Sequence, residues 1–301
     1  MKNPIPLISI ITLNYRQAKV TCEFLESCRR LTYPNFEILV CDMKSDEDPR
    51  AIIRVEDYPR TRLLCNDMNL GFAGGNNWGM RLARGEYMLL LNNDTEVTPD
   101  LIEKLLIPFK IDCRTGVVSP KIKYFEPNDK IQYAGFTKMN KITGRTRMIG
   151  NGESDRGQFD EIKPTWGAHG AAMMVKTEII EKVGMLPEKF FLYYEEWDWS
   201  TRIRTAGYRI YFQGLATVFH KESISVGKLS PMKEYYLTRN RILYMRRNTT
   251  GLNFWGFILF FTFFTFPKTT CKYLVKGNFL FLNAFIRGIK DNMLMSAYSS
   301  I

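Results

Sequence analysis

The sequence predicts an α/β fold, a sheet of parallel strands covered by helices on both faces. Two observations carry that reading. Short apolar runs alternate with segments of helical periodicity, and the runs end in one chemical register, on Thr, Asn or Asp. Composition agrees: of 301 residues, 45% are hydrophobic and 24% charged, ordinary values for a globular chain able to bury a sizeable core.

The elements follow in order. LISIITLN (7–14) is an isoleucine-rich run bounded by Pro6 and reads as a buried strand. Residues 17–31 place Val20, Phe24, Leu25, Cys28 and Leu31 on one helical face. After a YPN turn, FEILVCD (36–42) is a second strand ending on Asp42, and RTRLLCN (60–66) is a third. Gly71 to Gly85 reads as a glycine-opened helix and EYMLLLNND (86–94) as the fourth strand. TPDLIEKLL (98–106) is a helix with Thr98 or Asp100 as its cap. Residues 121–165 are loop-rich, with GRTRMIGNGESDRG a polar, flexible stretch. AAMMV (171–175), a helix from Thr177 and RIYFQGLATVFH (209–220) follow. Ligands of parallel α/β sheets bind at the carboxyl ends of the strands. That singles out Thr12, Asn14, Asp42 and the trio Asn92–Asn93–Asp94.

The net charge of +11 is unevenly spread. Residues 221–301 hold 12 Lys and Arg against 3 Asp and Glu, and the first 220 hold 30 against 28. The basic tail flanks an uncharged block, FWGFILFFTFFTF (254–266). Nucleic-acid binders interleave aromatics with charge, so this pattern favours lipid and excludes nucleic acid. The strongly apolar part is about 14 residues, roughly 21 Å of helix against a hydrocarbon core of about 30 Å. With Lys268, Lys272 and Lys276 following, an in-plane or re-entrant helix is expected, and FLFLNAFIRGI (279–289) adds a second interfacial helix. The alternative is a helical hairpin packed on its own domain or in a dimer interface. Six cysteines without a C-x-x-C pair, beside only two histidines, argue against a Cys/His zinc site and read as reduced thiols of a cytoplasmic protein. The N-terminal MKNPIPLISIITLNY reads as a first strand and not as a signal peptide.

Four motifs carry chemistry. LLLNNDT (89–95) delivers Asp94 from a strand into a turn, as a metal-binding carboxylate or as an Asx turn or helix cap. Mg²⁺ or Mn²⁺ keeps waters and substrate oxygens, so one or two protein ligands suffice. NLGFAGGNNWG (69–79) sets four glycines around Asn76 and Asn77. It lets backbone approach phosphate or sugar, or is a plain glycine-rich turn, and it matches neither a dinucleotide fingerprint nor a P-loop. His220 ends a strand, as a structural residue or a second metal ligand, and His169 in WGAHGAAM reads as pocket-lining. FFLYYEEWDWS (190–200) puts Glu195 and Glu196 at the start of a helix, where Asp198 can pair with Arg202 four residues on. The two glutamates have no local partner. A carboxylate in an aromatic, partly dry pocket gains proton affinity, which suits a general base.

Together with YPNFEILVCD, TVFH and YYLTRNR, these pieces resemble the family 2 glycosyltransferases of the GT-A fold, above all the bacterial rhamnosyltransferase-like branch, from about Leu7 to Arg247. The resemblance implies a Rossmann-like mixed sheet with a nucleotide-sugar-binding half (1–120), an acceptor-binding and catalytic half of the same domain (121–247) and a membrane-associated helical tail (248–301). It implies an inverting, metal-dependent hexosyl or rhamnosyl transferase. The nucleotide-diphosphate sugar would lie on Thr12, Asn14, Asp42, Asn92 and Asn93, and a divalent cation (Mg or Mn) on Asp94 and His220. Glu196 would be the base. Asn77, Trp166, His169, Gly170, Glu195 and Trp197 would form the sugar and acceptor pocket. The acceptor would be a glycan or lipid-linked hydroxyl in cell-surface polysaccharide synthesis, at the inner face of the membrane, with a homo-oligomer as one arrangement. Two departures stand out: V-D-N-x-S-x-D becomes CDMKSDED, and the base position, usually Asp, is Glu196. Rivals are a nucleotidyltransferase, whose G-x-G-T-R-L signature is absent, a processive synthase, whose Q-x-x-R-W is absent, and a non-catalytic nucleotide-sugar-binding scaffold.

Overall fold

A computed structural model describes residues 5–221 and 230–297, so the first four residues of the N-terminal stretch lie outside it. In chain order the strands are β1 (Ile8–Asn14), β2 (Phe36–Met43), β3 (Thr61–Asn66), β4 (Tyr87–Leu91), β5 (Thr95–Val97), β6 (Thr115–Tyr124), β7 (Ile131–Tyr133), β8 (Ile162–Pro164), β9 (Ala172–Lys176) and β10 (Arg209–His220). The helices are α1 (Ala18–Cys28), α2 (Gly71–Leu82), α3 (Leu101–Ile111), α4 (Thr177–Val183), α5 (Glu195–Thr205), α6 (Pro231–Asn248), α7 (Gly251–Phe260), α8 (Phe266–Val275) and α9 (Phe279–Leu294).

One ten-stranded sheet runs β3-β2-β1-β4-β9-β6-β10-β5, with β7 beside β6 and β8 beside β10. The first four strands are parallel, as expected. β9 is antiparallel to both β4 and β6, and β5 is antiparallel to β10, so the sheet as a whole is mixed. An apolar run carries no sign of its direction, which is why alternation alone predicted parallel strands throughout. The border expected at residues 120 and 121 falls inside β6, so both halves share one sheet.

Side chains alternate across the sheet. Ile8, Ile10, Ile38, Val40, Leu89, Leu91 and Met174 face one core, which α1 and α3 cover with Phe24, Leu25, Leu101 and Leu105. Ile11, Leu39, Cys41, Met88, Leu90 and Met173 face the other, beneath α2, α4 and α5. Two of the glycines of NLGFAGGNNWG, Gly75 and Gly79, belong to this packing. A Cβ at Gly79 would stand 2.6 Å from Ile11 Cγ2 and 3.0 Å from Cys41 Sγ, so glycine lets α2 lie on β1 and β2. Gly75 likewise lies against Leu13 and Met43, so these two glycines serve helix-on-sheet contact rather than a plain glycine-rich turn.

Three other expectations change. α3 begins at Leu101 without a side-chain cap, because Thr98 Oγ1 donates to the Thr217 carbonyl and Asp100 pairs with Lys104 at 2.6 Å. The stretch expected to be flexible, 144–157, is tied down by backbone hydrogen bonds: its first part closes a hairpin-like arm with residues 135–140 through Thr137 N to Arg147 O (3.0 Å), Asn140 N to Arg145 O (2.9 Å) and Ile149 N to Gly135 O (2.8 Å), and the rest is held by Ile131 N to Glu153 O (2.9 Å) and Asp155 N to Asp129 O (2.7 Å). The tail packs on its own domain, the second of the alternatives foreseen for it. Phe257, Phe261, Tyr273 and Phe285 are buried, and α9 is tied to α6 by Tyr235–Asp291 and by Asn292 Nδ2 to Arg239 O, both 2.8 Å. Its other face leaves Leu252, Trp255, Leu259, Phe263, Phe264, Val275, Phe279 and Leu280 exposed. No helix among the described residues is long and apolar enough to cross a membrane.

Candidate active site

The carboxyl ends of β1, β2 and β4 meet in one hydrogen-bonded chain. Asn14 Nδ2 donates to Asp42 Oδ1 (2.5 Å), Thr21 Oγ1 to Asn14 Oδ1 (2.8 Å), and Asn93 Nδ2 to Thr21 Oγ1 (2.9 Å). Ser45 completes Asp42 through its backbone N–H (2.9 Å) and hydroxyl (2.6 Å). Thr12 is fully buried with its hydroxyl unpaired. Asn92 is held by its backbone, receiving Thr95 N–H and hydroxyl on its carbonyl. Beside this edge opens a pocket of about 310 Å³ lined by Arg16, Lys19, Ser45, Asp48 and Ile52. Thr21 and Ser45 were not singled out from sequence. A threonine on the buried face of α1 is the signal that could have found the first.

At the next residue of the same turn, Asp94 Oδ1 lies 3.2 Å from His220 Nε2, both residues nearly buried, and no donor is hydrogen-bonded to that oxygen. His220 Nδ1 faces Gln132 Oε1 at 2.8 Å. With its proton on Nδ1, His220 turns a bare Nε2 lone pair towards a bare carboxylate oxygen. Two lone pairs in a buried place want a cation between them. The residues present fit a divalent ion with two protein ligands, the rest left to substrate oxygens and water. Gln132, a polar residue between Ile131 and Tyr133 in a buried strand, also went unnoticed in the sequence.

His169 lies beside this pair, its ring centroid 6.3 Å from that of His220 and stacked on Phe136 at 6.0 Å. Its Nδ1 accepts from Ala171 N–H, and burial, with His220 nearby, pulls its pKa down to about 3, so it is neutral. Phe136 in turn packs on the buried Trp197 at 4.8 Å. An aromatic wall therefore leads from His220 through His169 and Phe136 to the first turn of α5. Gly170 is half-buried near Phe72.

At that turn stand Glu195, buried, and Glu196, half-buried. Burial pushes the Glu196 carboxyl up to about 7. Burial and the neighbouring Glu196 raise Glu195 well above the usual range, and Glu195 Oε2 has no hydrogen-bond partner. Asp198 differs. Arg202 Nε reaches it at 3.2 Å as expected, but Arg247 Nε and Asn248 Nδ2, both at 2.8 Å, fasten it to the end of α6.

Two expected pocket residues are placed elsewhere. Asn77 spends its amide on the chain after α4, donating to Leu186 O and Glu188 Oε1 and accepting from Leu186 N–H. Trp166 lies under the Arg204 guanidinium, 3.6 Å from its ring centroid, in a separate recess with Tyr208 and Arg209 towards the far end of α5.

The fold is that of solved GT-A glycosyltransferases. A mannosyltransferase from Pyrobaculum calidifontis, solved with GDP-Man and Mn²⁺, superposes with a TM-score of 0.60 at 16% identity, covering 97% of this chain and 91% of that one. GalNAc-T7, solved with UDP, GalNAc and Mn²⁺, gives 0.64 at 14% identity over 82% of this chain and 48% of its own. Residues 9–184 match the model for glycosyl transferase family 2, and the chain belongs to that family. Among its relatives, the uncharacterized protein y4gI of Sinorhizobium fredii is 29% identical over 80% of this chain, which spans only 27% of y4gI. The low-salt glycan biosynthesis hexosyltransferase Agl10 of Haloferax volcanii is 27% identical over 78% of this chain and 74% of its own. The dTDP-rhamnosyl transferase RfbF of Shigella flexneri is 24% identical over 66% and 68%.

Proposed function

We propose that the chain is an inverting hexosyl or rhamnosyl transferase that moves a sugar from a nucleotide-diphosphate donor to a hydroxyl of a glycan or lipid-linked acceptor. The observation that carries the reading is the juxtaposition along one aromatic wall of a cation-ready pair, Asp94–His220, and an α5 turn bearing two buried or half-buried carboxyls of raised pKa, one with an oxygen that no donor reaches. Asn14, Asp42, Thr21 and Asn93 order the edge on which the nucleoside rests, and Thr12 offers it a free hydroxyl. Asp94 and His220 hold a divalent cation, Mg²⁺ or Mn²⁺, which when bound neutralises the leaving diphosphate. Glu196 takes the acceptor proton, its raised pKa matching it to work near neutrality. A single in-line displacement by the acceptor oxygen inverts the anomeric carbon.

The reading includes a place. The exposed apolar face of α7–α9, with Lys268, Lys272 and Lys276 beside it, suits an anionic membrane surface at the inner face of the cell membrane, where a lipid-linked acceptor would lie. A thermal-shift screen with UDP-glucose, dTDP-rhamnose and GDP-mannose, with and without Mn²⁺, tests the donor assignment. One donor should stabilise the fold only with metal, and silence from every nucleotide sugar would sink the reading.

A further inference from the structure

The YYLTRNR motif (235–241) lies on α6, apart from the donor, cation and base residues. We propose that Asn240 and Arg239 are positioning residues that hold the turn from which Glu195 and Glu196 project, a role that rests on the reading of Glu196 as base.

The turn needs holding. Phe191, Tyr193 and Tyr194 have φ of 63°, 68° and 73°, and none is glycine. Left-handed backbone at bulky residues persists only where the surroundings over-determine it. Tyr194 is the residue from which α5 starts, so its conformation sets where the next two carboxyls go.

Asn240 supplies the constraint. Fully buried, it donates from Nδ2 to the carbonyls of Phe190 (2.8 Å), Leu192 (2.7 Å) and Tyr193 (2.8 Å). Arg239 Nη2 donates to Lys189 O (3.0 Å) and Phe190 O (2.7 Å), and its Nε donates to Asn240 Oδ1 (2.8 Å), which fixes the amide's orientation. From the other side, Phe191 O accepts from Phe72 N–H at 2.7 Å, where α2 begins. Gly71 is required at that contact: its φ is +68°, and a Cβ there would meet Phe191 O at 2.5 Å. Every carbonyl from Lys189 to Tyr193 thus accepts a hydrogen bond from α6 or α2. Aspartate at 240 could donate to none of them.

The test compares the full-length protein with Asn240→Ser, which keeps one donor and admits water, and Arg239→Met, which keeps the stem's packing. Hydrogen exchange is read over residues 190–196, and nucleoside diphosphate release is followed against pH with UDP-glucose, dTDP-rhamnose and GDP-mannose plus MnCl₂, water taking the sugar in place of the acceptor hydroxyl. In Asn240→Ser, exchange over 190–196 should quicken at least ~10-fold while the rest of the chain is unchanged. Turnover should fall roughly 100-fold with donor KM held within about twofold. The acid midpoint should move from about 7 towards the ordinary carboxylate range as water reaches Glu196. The backbone N–H groups of Glu196 and Tyr194 lower the Glu196 carboxyl against its burial, Arg239 from α6 and Glu196 act on Glu195, and Arg241 and Tyr244 from α6, Arg145 from the arm and Glu196 act on Tyr194. None of them is removed in Asn240→Ser. Unchanged exchange and midpoint would overturn the proposal, as would a loss of turnover that merely follows donor affinity and thermal midpoint. If Asn240→Ser does not fold, Arg239→Met is judged by the same readouts, with smaller changes of the same sign. Turnover surviving in Glu196→Gln would remove the base assignment, while the exchange result would still decide whether the turn is held by α6.

Discussion

The carboxyl edge of the sheet and the first turn of α5 are both polar and mostly buried, yet they treat their polar groups in opposite ways. At the sheet edge, Asn93, Thr21, Asn14 and Asp42 satisfy one another in one hydrogen-bonded chain, the Thr12 hydroxyl being the exception. At the α5 turn, two carboxyls stand side by side, one with an orphaned oxygen, on backbone that is left-handed at three bulky residues. Satisfied polar groups make a rigid floor, and unsatisfied ones hold their energy in reserve for a substrate. Asp94 stands between the two regimes, the next residue after Asn93 but with a bare oxygen facing His220.

The largest effect is expected where reserve is removed. Asp94→Ala should abolish Mn²⁺-dependent donor stabilisation in the thermal-shift screen and lower turnover at least ~10³-fold, since charge on the leaving diphosphate is then uncompensated. A response to donor and Mn²⁺ equal to wild type would remove the cation from this pair.

Thr21→Val breaks the floor. It strips Asn14 Oδ1 of its donor and Asn93 Nδ2 of its acceptor, and should cost about 1–3 kcal/mol in chemical denaturation. Donor affinity should weaken with it. A stability change within error would show that the edge is less rigid than its hydrogen bonds imply.

A smaller change sharpens the contrast through pH. Glu196 has a pKa near 7 in the fold against an ordinary 4.5, so the folded state holds a proton that the unfolded chain has released between those values. Its contribution to stability is full below about 4.5 and is lost as pH rises through about 7. On the reading of Glu196 as base, turnover should rise over the same window, because the base must be ionised. Thermal midpoints followed from pH 5 to 8 should fall in wild type and fall less in Glu196→Gln.

The smallest effect lies outside both regions. Phe263→Ser with Phe264→Ser should weaken sedimentation with vesicles containing anionic lipid by about tenfold, leaving donor binding intact. Unaltered sedimentation would remove this face as a membrane contact.

Much of the sheet was legible because strands buried on two faces must be apolar throughout, as in LISIITLN and FEILVCD. The polar stops at Asn14, Asp42 and Asn93 were legible because a strand end is where a polar side chain can find partners. The rest depended on tertiary neighbours. Nothing in AAMMV says that β9 runs antiparallel, and nothing in NLGFAGGNNWG says that Gly79 rests on Ile11. Trp166 sits in a motif that suggested a pocket, yet its ring is claimed by Arg204, 38 residues away in sequence. Thr21 and Gln132 act through partners distant in the chain, and a polar residue on a buried face was the one local sign of each.

Glu196→Gln is the most direct measurement, because it replaces the one carboxylate oxygen proposed to take the proton and changes little else. Donor affinity measured by calorimetry with Mn²⁺ should stay within about twofold, while nucleoside diphosphate release falls about 10²–10⁴-fold. Release at the wild-type rate with donor binding unchanged would contradict a base at this position and, with it, the catalytic role of the α5 turn.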